Sequence, residues 1–267
     1  MKPSTSYPIT VAAVLAAGVL GASELPATAS SRLTPVPHPL ANPQTTLIAG
    51  RLGFKLNNIR PSRFNYGGFT RSSCPPVDIT VVAPPTRPEE RPLGQKDNVA
   101  VDSTASPHPT LFVNIPAELS GKTAELTLQN EAGDQQLYST TFNLTGKPGI
   151  VGIRIPNTAP PLTVGQKYLW QVAVNCSNPN DRINAGSWIE RVPLDRTLAS
   201  QLDRATAREK PVLYAEAGIW QDTVSTLAEL LYHNPNDQFL AQDWANLMQS
   251  VNLNDFANKP IVQIAGQ

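Results

Sequence analysis

Apolar and polar positions alternate most regularly between Gln166 and Cys176, where Tyr168, Trp170, Val172, Val174 and Cys176 share one face. Leu169, Gln171, Ala173 and Asn175 take the other face. A period of two with an aromatic-rich side predicts a β-strand lying on a core. The same alternation recurs at residues 77–82, 111–115, 124–128, 138–144, 151–155 and 187–192. Turn formers punctuate these runs: Asn130 to Asp134 reads as a hairpin loop, and Pro116 and Pro156 close two of the strands. Short strands separated by turns predict a mainly β protein with some α, built on an antiparallel β-sandwich of immunoglobulin-like or fibronectin-like architecture.

From Leu194 the apolar period lengthens to that of a helix. Asp195 predicts an N-cap with Leu198, Leu202 and Ala205 stacked behind it. Pro211 is expected to interrupt or kink that helix, and Gly218 to stop its continuation. Asp222 reads as the cap of a second helix, with Val224, Leu227, Leu230 and Leu231 on its apolar face. Pro235-Asn236-Asp237 starts a third, which carries Leu240, Trp244, Leu247, Met248 and Val251. Tyr214, Gly218, Trp220, Asp222, Leu227, Leu230 and Pro235 fall at the spacing of a tetratricopeptide-like helical hairpin. A single hairpin cannot bury its own apolar face. It is expected to dock on the sandwich, with a second protein as the alternative partner.

These patterns divide the chain into a leader (1–29), a proline-rich flexible arm (30–73), a β-sandwich (74–193) with a disordered insertion (84–109), a helical segment (194–256) and a loose tail (257–267). The leader joins Lys2, an apolar run from Ile9 to Leu20 and the Ala27-Thr28-Ala29 cleavage pattern, which predicts an export signal. Its apolar run is shorter than the roughly 20 residues a spanning helix needs, so no stable membrane insertion is expected after cleavage. The expected location is the periplasm or the exterior. There, Cys74 and Cys176 are expected to pair as a disulfide rather than remain two buried thiols.

Composition narrows the function further. The chain has 21 Lys plus Arg and 21 Asp plus Glu, so no basic footprint argues for nucleic acid. Seventeen of its 26 prolines lie at or before Pro116, which assigns the irregular structure to the first half. The three histidines, His38, His108 and His233, belong to no HExxH motif, and neither GxSxG nor GxxxxGK[ST] occurs. No catalytic, cofactor-binding or metal-ligating residue is therefore assigned, and a hydrolase ranks last among the readings. Protein contacts rank first, through Tyr214, Trp220, Tyr232 and Trp244 where these remain exposed. The expected partner is an envelope protein. A glycan-binding module ranks second, with Trp188, Asp181 and Arg182 as its residues and a polysaccharide as its ligand.

Several blocks carry a family resemblance: Cys74-Pro75, Phe112 to Pro116, Tyr138 to Leu144, Pro148-Gly149-Ile150, Pro161-Leu162 with Gly165, and Tyr168 to Cys176. Ser187 to Arg191 and the block Tyr214-Ala-Glu-Ala-Gly-Ile-Trp220 complete it. Over about residues 70–253 the chain resembles domain of unknown function 928, a family found in cyanobacteria. Ser72-Ser73 stand here where similar members have Gly-Gly. The resemblance implies a cyanobacterial envelope protein and brings no activity with it.

Overall fold

The computed structural model describes residues 52–54, 60–61, 74–84, 100–178 and 181–266. The predicted leader, most of the 30–73 arm and residues 85–99 of the insertion lie outside these. The described chain is mixed α/β, with two sheets and four helices. One sheet orders its strands β1 (Arg60–Pro61), β3 (Ala100–Thr104), β9 (Arg182–Arg191), β8 (Lys167–Asn175), β5 (Thr123–Asn130) and β6 (Gln136–Asn143). The other orders β10 (Ile261–Ala265), β7 (Gly149–Arg154), β4 (Thr110–Ile115) and β2 (Thr80–Val81).

The alternation that predicts β8 also decides what it buries. Tyr168, Trp170, Val172, Val174 and Cys176 join Leu126 and Leu128 of β5 and Leu111, Val113, Val151 and Ile153 of the four-stranded sheet in one core. The two sheets thus share an apolar interior in a sandwich-like arrangement. Leu169, on the opposite face of β8, packs with Val101 and Trp188 in a smaller outer cluster. Cys74 and Cys176 form a disulfide with their Cα atoms 5.2 Å apart, which clasps the approach to β2 to the end of β8.

The sheets are not wholly antiparallel. β3 runs parallel to β9, and β10 runs parallel to β7. Parallel neighbours need long crossovers. Residues 105–181 supply one, and residues 155–260, which include β8, β9 and the helices, supply the other. β3 falls inside the predicted insertion 84–109 and β10 inside the predicted tail 257–267, so both of those boundaries are corrected. The arm is corrected in part as well: Leu52 and Phe54 are buried in the helical core, and Arg60–Pro61 pairs with β3.

Four helices follow: α1 (Arg196–Arg204), α2 (Lys210–Glu216), α3 (Trp220–His233) and α4 (Gln238–Ser250). Asp195 caps α1 as its sequence position predicts, accepting from Thr197 N–H and Leu198 N–H. Pro211 opens α2 rather than kinking α1, because the first helical turn needs no donor at that place. Gly218 turns the chain at φ 72°, a conformation open to glycine, so α3 can start at a new angle. The outer face of the four-stranded sheet, with Phe112 and Ile150, packs on Trp220, Val224, Leu227, Trp244, Leu247 and Met248. The hairpin therefore docks on its own chain.

Candidate functional site

Burial sorts the residues singled out in the sequence. Trp220 is 1% and Trp244 2% exposed. Trp220 stacks edge-on against Phe54, and its indole N–H donates to the Val82 carbonyl. Trp244 N–H donates to the Phe256 carbonyl. Both hold the helices on the sheet. Tyr214 is half-buried on α2, beside the Leu198, Leu202 and Ile219 cluster. Of the four, Tyr232 is the one that reaches solvent appreciably, at 38% exposure.

The residues of the glycan reading do not converge. Trp188 is buried with Val101 and Leu169 on the outer side of the six-stranded sheet, and its N–H donates to the Glu131 carbonyl. Asp181 is buried in the turn before β9, where its backbone carbonyl accepts from Cys176 N–H. Arg182 pairs with Glu125 across the sheet surface at 2.6 Å. Six residues separate Arg182 from Trp188 along β9, about 20 Å at strand rise. These three side chains make no common platform.

Two other places gather chemistry. The first is the end of the α3–α4 hairpin, whose loop is fixed by Asp237 capping α4 through Phe239 N–H and Leu240 N–H. Phe239 stands 64% exposed there, the most open large apolar side chain of the described chain. The same hairpin and the approach to β10 also line a groove of about 300 Å³, with Leu231, Pro235, Ala241, Trp244, Asn258, Lys259, Pro260 and Ile261 in its walls and Phe239 outside it. The sequence reading missed Phe239, because a position next to a helix cap usually faces solvent without consequence.

The second is a polar recess where α3 crosses the ends of β3, β4 and β7. Asp222 reads in sequence as a helix cap, yet α3 begins at Trp220 with Ile219 before it. Its carboxylate instead crosses to β3, where Oδ2 accepts from the Thr104 hydroxyl at 2.7 Å and from Ala105 N–H at 3.0 Å. Burial raises the Asp222 carboxyl above its ordinary pKa, against the pull of those two donors. The Gln221 amide donates to the Thr110 carbonyl, and Arg154 pairs with Glu229 of α3. His108 Nε2 lies 3.0 Å from the Ala159 carbonyl, an acceptor, so Nε2 carries the proton.

This recess does not assemble a nucleophilic triad. Ser106 Oγ accepts from His108 N–H, and Ser225 Oγ donates to the Asp222 carbonyl. Among the described residues neither hydroxyl bonds the imidazole, which is what activation of a serine requires. Also among the described residues, no group of three or more His, Cys, Asp and Glu side chains could hold a metal ion, and no helix is long and apolar enough to cross a membrane.

No curated protein matches the chain. The model of the family described as Domain of Unknown Function (DUF928) matches residues 66–261, from just ahead of the disulfide to the first residue of β10. With the match spanning both sheets and all four helices, the chain belongs to the DUF928 family.

Proposed function

We propose that this protein is an exported, non-enzymatic interaction module of a cyanobacterial cell envelope, and that it grips a protein partner with the free end of its α3–α4 hairpin. One observation carries the reading: Phe239 and Tyr232, at the two helix ends that flank the hairpin loop, stand in solvent at 64% and 38% exposure, while all four tryptophans are buried. Exposed aromatic side chains are the anchors that dominate the energy of protein contacts. The leader pattern ending at Ala29 and the Cys74–Cys176 disulfide both support an oxidising compartment outside the cytoplasm. The shared core of the two sheets supports the immunoglobulin-like or fibronectin-like reading of the sandwich.

The test is an affinity capture from a cyanobacterial envelope extract, using the oxidised chain from Ser30 onward. A doubly substituted chain, Tyr232→Ser with Phe239→Ser, serves as the comparison. One envelope protein captured by the first and released by the second is the expected outcome. Equal capture by both would remove the hairpin end from the mechanism.

A further inference from the structure

The recess under the first turns of α3 encloses about 210 Å³, and nine of its ten lining residues carry polar side chains. Its walls are rigid. Thr104, Thr110 and Gln221 are buried, and Asp222 and Gln221 are each tied to a neighbouring strand. Such a built pocket has discarded the ordering cost that a loose surface would meet on binding.

Charge decides what fits. An anion would meet the carboxylates of Asp222 and Glu229 against the one guanidinium of Arg154, which Glu229 already neutralises. A cation would face Arg154 and an Asp222 oxygen that already accepts two hydrogen bonds. An apolar ligand would strip water from this polar lining with nothing in return. A neutral molecule dense in hydroxyls avoids all three conflicts, because each hydroxyl both donates and accepts. The volume lies below the roughly 300–1,000 Å³ of drug-sized sites, so the occupant is one ring rather than several.

We propose that this recess binds a single ring of a neutral saccharide, with neighbouring hydroxyls donating to Glu229 and accepting from Arg154. No Phe, Tyr or Trp side chain lines the recess for stacking, so the dissociation constant falls on the order of millimolar. Its lining shares no residue with the Trp188 cluster or with Phe239 and Tyr232 of the hairpin end.

The oxidised chain from Ser30 onward would be titrated with glucose, galactose, mannose and xylose, read by saturation-transfer NMR and calorimetry, with inorganic phosphate in parallel. Ser225→Leu fills the recess, and the hydroxyl it removes bonds only within its own helix. Circular dichroism checks that it folds. Saturable binding of at least one sugar, absent in Ser225→Leu, weakened at least tenfold in Arg154→Met and unchanged in Phe239→Ser, is the expected result. An oligosaccharide ending in the same ring then separates a chain-end ligand from a free sugar. The proposal falls if no neutral sugar binds, if phosphate binds in their place, or if Ser225→Leu binds as well as the parent.

Discussion

The four-stranded sheet is covered on both faces, and the two covers are built differently. Its inner face meets the six-stranded sheet through aliphatic and aromatic side chains, and a disulfide clasps that seam at one end. Its outer face meets the helices through an equally apolar patch, fringed by the polar ties Gln221 to Thr110, Trp220 to Val82 and Arg154 to Glu229. Thr104, at the end of β3 in the six-stranded sheet, adds a tie to Asp222 of the same helix. Apolar burial drives both layers together. The ties on the outer side fix where the helices sit, since each is satisfied in one register alone. The inner seam is a matter of strength and the outer seam a matter of position.

Opening the inner seam has the largest expected effect. The disulfide joins residues 102 apart, so Cys74→Ala with Cys176→Ala lowers stability by about 4.7 kcal/mol in the chain-entropy model. Urea unfolding with and without reductant measures it. A parent chain indifferent to reductant would show that the clasp is redundant.

Next in size, Trp220→Ala removes the largest plug of the outer seam and costs about 3–5 kcal/mol. Hydrogen exchange should show α3 and α4 losing protection before β5 and β8. Simultaneous loss in helices and strands would mean that both seams melt as one unit.

Thr104→Val keeps the shape but leaves buried Asp222 with one donor fewer, a cost of about 1–3 kcal/mol. A loss as small as that of an exposed threonine would remove the positional role given to this tie.

The pH dependence sharpens the contrast. Burial lifts Asp222 above its ordinary value of 3.8, and burial alone lifts Asp102 well above it. The folded chain therefore holds these protons more tightly than the unfolded chain. Their contribution is fully present below the unfolded pKa and is lost as pH rises through the folded values. Among the described residues Asp102 Oδ1 has no hydrogen-bond partner, so Asp102→Asn should flatten that decline and raise the melting temperature at pH 7. An unchanged slope would place its origin elsewhere. Glu125 runs the other way: the Ser139 hydroxyl and then Arg182 hold it below its ordinary value, so its contribution fades on acidification.

The smallest expected change is at the hairpin end. Phe239→Ser alters stability by no more than about 0.5 kcal/mol, as an exposed position should. A clear drop in the urea midpoint would show that Phe239 is part of the outer seam instead of a free contact.

The inner seam was the legible one. Alternation in β4, β5, β7 and β8 reports burial directly, because sandwich strands put every second side chain into a shared core. β3 escaped notice since Asp102 and Thr104 occupy alternate positions that are buried, so a buried strand reads as polar. β9 begins at Arg182, ahead of the predicted Ser187, because Ile183 and Ala185 extend the buried face through what reads as a polar loop. The outer seam was legible only as helices. Asp222 carries the residue type of a cap, and only its contact with a residue 118 positions away reveals its other role. The polar recess had no local signal, since its walls come from three separate segments. The family match delimits the folded region and names no chemistry.

β10 carries a consequence for the order of events in folding. It lies beside β7 with Ile264 opposite Gly152, and Gly149 leaves no room for a side chain: a Cβ there would come within 2.6 Å of the Pro260 carbonyl. The strand arrives only after both the sandwich and the helices have passed. A chain emerging from its amino end thus keeps one side of β7 unpaired until residues beyond 260 are available, and contacts so distant in sequence form slowly. During that interval the bare edge is a template for any other extended segment nearby, so β10 acts as a latch that both completes the sheet and takes the place of an intruder.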